Sequence, residues 1–477
     1  MKPYLGDMAQ KNSSVINVFE GINTAVEPQL LPDSAAADMQ NIDSGGYPAL
    51  CTCPPREQVD TQGTSITDGV AYLGKILLKR EAPTGSDLEQ EQNTEHLAFV
   101  AGNSWWYLKD GEWNSLVDMG AYFSDYMDGV FFVDKNILVA GRNGNRAAFC
   151  TTGGEFEGID DKSGFPISNF LVSHANRLYA ASRQASYLYG SGLRNPKRWT
   201  SATDGVSFEF ETPDDECCSG IAAYAERLLF FKPHSIFEIY GTDPLVGYRT
   251  TRLSSSIGCV SHKTIKEVGG TLYFLGDGGV YSYGGGSLPK NIGTPVQKYL
   301  DNIDEPESAC SQSFGDRYWL SIKQKNGGGA VLVFDTRTGM WYKQDSLYIK
   351  HFAVVDGELY GATDNAIFKM EGESGEAVEW YWHSKHFSSG RLGNIQNWKR
   401  LYLSFEKGDN ATLMVHLAND RGEVQEVTGK MFGNIMRVEL PPRLCHRAEW
   451  IQLRLSGRGE CKIRAIERYV RTRGGSY

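Results

Sequence analysis

The residues best equipped for chemistry in this 477-residue chain are scattered. Hydrolysis of a glycosidic bond needs two carboxylates held on opposite sides of a sugar. Candidate acids are present at Asp214, Asp215, Glu216, Asp277 and Asp335, but most sit in turn contexts such as Asp277-Gly278-Gly279, and no pair stands out. His383 and His386 are the only near pair among nine histidines; on a regular strand they point to opposite faces, and no third metal ligand lies nearby. Nine cysteines form no even framework, and neither Cys51/Cys53 nor Cys217/Cys218 has metal-ligand spacing, so the expectation is reduced, mostly buried thiols and a reducing cytosol as the place of synthesis. The glycine runs Gly284-Gly285-Gly286 and Gly327-Gly328-Gly329 lack the lysine and the following helix of a phosphate loop and read as hairpin tips. No nucleophile elbow occurs. Trp105, Trp106, Trp113, Trp199, Trp319 and Trp341 could form a sugar platform, but side chains of this size more often pack between sheets. These residues predict no catalytic centre, no cofactor and no metal.

The elements that would position them repeat. An apolar strand, a polar turn and a second apolar strand recur about every 40 to 50 residues. The copies are HLAFVAGNSWWYLKDGEW from His96, NILVAGRNGNRAAF from Asn136, NRLYAASRQASYLYGSG from Asn176, ERLLFFKPHSIFEIYG from Glu226, GTLYFLGDGGVYSYGGG from Gly270, DRYWLSIKQKNGGGAVLVFD from Asp316 and GELYGATDNAIFKMEG from Gly357. One such unit cannot bury both faces and must stack on its neighbours. A ring of four-stranded blades is the usual solution at this period. The chain therefore reads as all-β: a β-propeller of about six to eight blades over residues 61–372.

Residues 1–60 fall outside the repeat and read as an extended N-terminal arm, in which Asp33-Ser34 could cap one helical turn over Ala35–Met39. The polar stretch from Pro83 to Glu95 predicts a mobile loop, and Leu193 to Glu216 a long connection between blades. The segment SATDGVSF from Ser201 resembles the Asp-box of sialidase-like propellers with its acid one residue late; such a box is a structural turn. Beyond EGESGE at Glu371, short alternating segments predict antiparallel strands and a C-terminal β-sandwich or jelly roll over residues 373–477. The net charge is −10, yet Pro442 to Tyr477 is basic, which reads as a solvated strand face or a contact with an acidic neighbour or DNA phosphate. No window reaches the ~18 apolar residues of a membrane-spanning helix, and the sequence from Met1 has no secretory leader pattern.

The opening FEGINT (Phe19 to Thr24), the following Asn41-Ile42-Asp43 and Gly45-Gly46, and the block FFKPHSIFEIYG, SSSIGCVSHKTI, TLYFLGDGGVYSY and PKNIGTPVQKYLDNID from Phe230 to Asp304 resemble tailed-phage neck and tail propeller proteins, the tail hub or nozzle proteins also called packaged-DNA stabilisation proteins of short-tailed phages. The resemblance implies a virion structural protein, not an enzyme. It implies a homo-oligomeric, hexameric ring that docks on the portal and its adaptor, contacts other tail proteins and closes the DNA channel. Genomic DNA would pass without sequence-specific binding, no membrane is involved, and the chain is made in the host bacterial cytoplasm before residing in the virion. Interface residues expected on this basis are Phe19, Gly21, Asn23 and Asn41 in the arm and Arg468, Arg471 and Arg473 near the end of the chain. The alternatives are a receptor- or carbohydrate-binding propeller at the tail tip and a propeller glycosidase, which share the fold.

Overall fold

The computed structural model describes residues 10–79, 93–102, 104–118, 127–140, 146–159, 164–200, 204–242, 247–374, 376–389 and 394–473. Seven antiparallel four-stranded sheets form the propeller. Their innermost strands are Val70–Lys79, Asp128–Phe132, Phe170–His174, Gly220–Tyr224, Lys266–Val268, Cys310–Phe314 and His351–Val355, in blades 1 to 7. Each of the seven repeats supplies the second and third strands of one blade, as Arg227–Phe231 and Ile236–Tyr240 do in blade 4. Tight turns join the strands. Asp356-Gly357 and Gly269-Gly270 both hold positive φ at two successive positions, the geometry whose twist matches that of a two-residue hairpin.

Every junction between blades is an apolar cluster. Ile76, Trp105 and Leu138 bridge blades 1 and 2; Leu178 and Trp199 meet Ile137 between blades 2 and 3; Trp319 and Val333 meet Leu359 between blades 6 and 7. Phe99, Val355 and Ile367 complete the circle between blades 7 and 1. Burying a large apolar side chain contributes about 1.5–3 kcal/mol, so each blade is held by neighbours it could not replace alone. Trp105, Trp199, Trp319 and Trp341 are buried in these junctions and form no platform. The ring closes on itself: blade 7 takes its outer strand, Glu57–Gln58, from the N-terminal part of the chain, pairing Phe368 with Gln58 and Lys369 with Glu57.

The second unit is a two-layer sandwich, and here the arm departs from expectation. One sheet runs Ile42–Asp43, Leu50–Thr52, Cys461–Arg473, Ile395–Lys407, Ile435–Val438 and Gly429–Phe432, with Gln10–Ile16 also beside Cys461–Arg473 and His446–Ala448 beside Ile395–Lys407. The other runs Ala36–Gln40, Glu379–Ser388, Trp450–Arg458, Thr412–Asn419 and Val424–Val427. The arm is thus not a free extension. The expected helical turn at Ala35–Met39 is a strand that sets Met39 opposite Trp382, because Ala36 and Met39 gain full burial there and packing overrides a weak local preference. The segment from Leu193 to Glu216 also carries a strand, Val206–Glu209, the outer edge of blade 3. Asn93–Glu95 begin a strand of blade 1, while positions 83–92 lie outside the described residues.

One cluster spans both units. Tyr273 and Val280 of blade 5 and Tyr318, Leu332 and Trp341 of blade 6 join Phe19 and Ile22 of the arm and Trp382, Leu403 and Leu453 of the sandwich. Among the described residues no helix is long and apolar enough to cross a membrane.

Candidate functional site in the propeller channel

The first strand of each blade leaves one edge unpaired within its sheet, and together these edges surround a central cavity of about 400 Å³. Unpaired backbone N–H groups need acceptors, and two side chains supply them. Asp128, which opens the inner strand of blade 2, accepts the Leu171 N–H of blade 3 at 2.7 Å and the His262 Nε2–H at 3.0 Å through the same oxygen. Its other oxygen accepts the Gly129 N–H at 2.9 Å. His262, from the short turn His262–Thr264 before blade 5, accepts the Ile221 N–H of blade 4 on Nδ1 at 3.3 Å. That contact leaves Nδ1 without a proton and sets the tautomer that donates to Asp128. The Phe170 ring lies 4.6 Å from the imidazole, centroid to centroid.

Around this pair stand Lys263, Lys266, His351, Cys310 and Tyr72. Lys263 Nζ lies 3.2 Å from His351 Nδ1. Burial pushes the Lys263 amine down to about 8. The same cause lowers Lys266, against the pull of Asp128. Burial, with the nearby Lys263 charge, drives His351 well below the ordinary imidazole range and keeps it neutral. Burial raises the Asp128 carboxyl, but the His262 ring and the Leu171 N–H outweigh it and hold it below the usual carboxylate range. Burial lifts the Cys310 thiol to about 12 even beside two lysines, and its Sγ lies 3.2 Å from the Ile349 carbonyl oxygen, so it is not an activated nucleophile. By surface area Asp128, His262, Lys263 and Lys266 are only half-buried. They face the cavity, and it is encirclement by the blades that removes their solvent. The arrangement can hold an anion against ammonium groups.

The acids considered from sequence do not converge. Glu216 is bound by His234 on the blade 4 rim, with Asp277 3.7 Å beyond. Asp335 is 0 % exposed and locked to Arg337 at 3.0 Å, with Ser44 Oγ at 3.1 Å. Asp204 is the acid of the box-like turn, accepting the Leu193 N–H at 3.1 Å and pairing with Arg177; Ser201 to Thr203 lie outside the described residues. His383 and His386 are a correction: a bulge between them sets them opposite Arg454 and Gln452, two positions on one face, so both lie on the same side of the strand. Among the described residues no group of three or more His, Cys, Asp or Glu could hold a metal. Seven of the nine cysteines are buried and all are free thiols, as the sequence suggested.

The expected interface residues make contacts within the chain. Phe19 is 1 % exposed and meets the Trp382 ring edge-on at 5.8 Å. Gly21 passes so close to blade 6 that a Cβ would lie 2.2 Å from the Trp341 carbonyl oxygen. Asn23 accepts the Ala25 N–H at 3.1 Å, and Asn41 donates from Nδ2 to the Glu379 carbonyl at 2.8 Å. Arg468 pairs with Asp33 of the arm and lies 4.0 Å above the Phe387 ring. Arg471 stands half-buried opposite Lys11 and Asn397 in the sheet; for Arg473 only the backbone, opposite Ile395, is described. Sequence reasoning missed Lys263, Lys266 and Asp128. The signal for the lysines was a basic HKTIK (His262 to Lys266) just before a strand in an acidic chain.

No family model and no curated protein matches the sequence. Among solved structures, a catalytically inactive virginiamycin B lyase from Staphylococcus aureus with quinupristin is similar at 12% identity and TM-score 0.46, over 66% of this chain and 98% of that one. The extracellular domain of a hybrid two-component system from B. thetaiotaomicron is similar at 9% identity and TM-score 0.42, over 83% of this chain and 47% of that one. The Neurospora crassa Pan2 WD40 domain is similar at 9% identity and TM-score 0.40, over 68% of this chain and 98% of that one. These neighbours include an enzyme and proteins not described as enzymes, and the fold assignment stands on the seven sheets of the chain itself.

Proposed function

We propose that the chain is a structural building block of a tailed-phage virion, a subunit of a ring in the neck or tail that docks on the portal and adaptor and closes the DNA channel. The observation that carries this reading is the single continuous core that joins blades 5 and 6, the arm and the sandwich. A subunit that must hold its shape under load needs domains that do not hinge, and domains joined only by small polar contacts move by default. The sequence motifs that resemble phage propeller proteins lie partly in this region, at Phe19 to Thr24 and Thr271 to Tyr283. The hairpin Gly429–Phe432 and Ile435–Val438 at the sandwich edge exposes Met431, Ile435 and Phe432, the last at 61 %, and would serve as the contact surface in this reading. In this role the chain is not an enzyme: the acid–imidazole pair in its channel caps strand edges. A closed ring is heterologous, so each copy presents two different surfaces.

The test is imaging of phage particles carrying the chain with a C-terminal tag. Six tagged copies in the neck or tail are expected, and a chain absent from the particle overturns the reading. Phe432→Ser leaves the subunit's thermal stability within about 0.5 kcal/mol, as surface changes do, and lowers ring occupancy in the particle.

A further inference from the structure

The sandwich sheet built on Ile395–Lys407 and Cys461–Arg473 has an outward face that is basic and aromatic. Side chains alternate across a strand, and Leu401, Leu403, Ile466 and Met436 turn into the core. Their neighbours turn out. The register sets Glu467, Tyr402, Arg437 and Lys430 in one row across four strands, and Tyr469 beside Arg400 in the next. Ile435 stands opposite Phe432 in the hairpin, and Val15 flanks Glu467 at the far edge. All of these outward residues except Tyr402 and Glu467 are exposed. The two tyrosine rings meet edge to face at 6.3 Å. The acid of the row, Glu467, accepts the Tyr469 hydroxyl at 2.7 Å. Arg400, Arg437 and Lys430 have no ion-pair partner among the described residues. Arginine and aromatic rings are enriched at the centres of protein interfaces, and acids are depleted there.

The charge of the chain is split between its two units. Residues 373–477 carry 17 Lys and Arg against 12 Asp and Glu, whereas residues 1–372 carry 31 against 46. Two copies meeting through this face alone would set Arg400, Arg437 and Lys430 against their own counterparts, and like charges brought together oppose association. The complement is the acidic propeller. We propose that this sheet face docks on the propeller of a second copy of the chain. Such a contact is head-to-tail and leaves each copy with one free face of each kind, which is the geometry that closes a ring. Val15 and Ile435 speak against a nucleic acid here, since aliphatic side chains neither pair with phosphate nor stack on bases as rings do. The contact rests on the ring proposed above for its place in the particle, but it is measured on the purified chain, so either can fail alone.

The test has two parts. Sedimentation equilibrium of the full chain is expected to show self-association at about 0.05 M sodium chloride that weakens at about 0.5 M, as screening of exposed charges requires. Arg437→Glu weakens it by about tenfold or more, and Arg458→Glu on the other sheet leaves it unchanged. On the unaltered chain, isotopically heavy and light copies are mixed and joined with a zero-length carbodiimide. Mass spectrometry is expected to find heavy–light links from Lys430 to acids within residues 1–372. A monomer at low salt without heavy–light links, links from Lys430 to sandwich acids only, or association indifferent to Arg437→Glu overturns the proposal. A single-stranded oligonucleotide bound by the chain and released by Arg437→Glu would assign the face to nucleic acid and overturn it too.

Discussion

Arg317 shows how single residues join distant parts of this molecule. Its guanidinium holds Asp43 of the arm at 2.7 Å and lies 3.8 Å from Asp335 in its own blade. Asp335 in turn pairs with Arg337 and accepts a bond from Ser44. All but Arg337 are shielded from solvent. Breaking a buried pair by removing one partner costs more than the pair contributes, because the remaining charge is stranded. Arg317→Ala strands the buried Asp43 carboxylate, while Asp335 keeps Arg337 and Ser44, and is expected to lower stability by about 3–5 kcal/mol, read as a shift of the urea midpoint with unchanged slope. The same network carries an acid dependence. Burial raises the Asp335 carboxyl, but the Arg337 side chain and N–H and the Ser44 hydroxyl outweigh it, so its folded pKa falls below the ordinary 3.8. A carboxyl depressed in the folded state contributes stability that is full above its unfolded value and lost as pH falls through its folded one. Stability is therefore expected to drop below about pH 3.8, and Asp335→Asn should flatten that limb; an acid limb of equal steepness in the variant would show that other groups control it.

At the scale of elements, the arm is what binds propeller to sandwich. Its Ile22 N–H donates to the Trp341 carbonyl at 2.8 Å, and the Thr24 N–H to Pro295 at 2.7 Å, so it crosses the face of blades 5 and 6 before entering both sheets of the sandwich. Gly21 is required because the backbones touch there, not because its own backbone is unusual. Gly21→Ala must push the arm off the blade, a strain of about 1–3 kcal/mol. The expected sign is faster limited proteolysis between positions 17 and 35 with little change in the blades; an arm as resistant as wild type would contradict the packing described. Similar reasoning explains why Phe19 and Arg468 are poor candidates for a partner surface. Each sits between elements of its own chain, whereas Phe432 and Met431 sit on a sheet edge with no cover.

For the whole molecule, two closures matter. The ring is sealed by Glu57–Gln58, and the sandwich is completed by Gln10–Ile16, Ala36–Gln40, Ile42–Asp43 and Leu50–Thr52. The N-terminal segments thus enter two units otherwise built from later sequence. Because one core cluster spans the two, they should unfold together. Differential scanning calorimetry is expected to show one transition with equal calorimetric and van't Hoff enthalpies; two resolved transitions would mean that the shared core does not couple them.

What the sequence alone determined follows from locality. Each repeat maps onto the middle strands of one blade, since a hairpin is specified by neighbouring residues: alternating apolar positions and a short turn, and the same locality sets the flanking turns Asp110-Gly111 and Asp356-Gly357, where both residues take positive φ. The same holds for strands such as Ile395–Lys407 and Cys461–Arg473. Only the tertiary structure decided where the arm goes, because Met39 finds its partner at Trp382 and Ser13 at Tyr469, hundreds of positions away, and no local pattern encodes such pairing. It also decided the channel site. Asp128, His262, Lys266 and His351 come from three different blades or the turns before them, and each alone reads as an ordinary polar residue. Ring closure brings them around one cavity and strips their solvent, and that desolvation makes their charges matter.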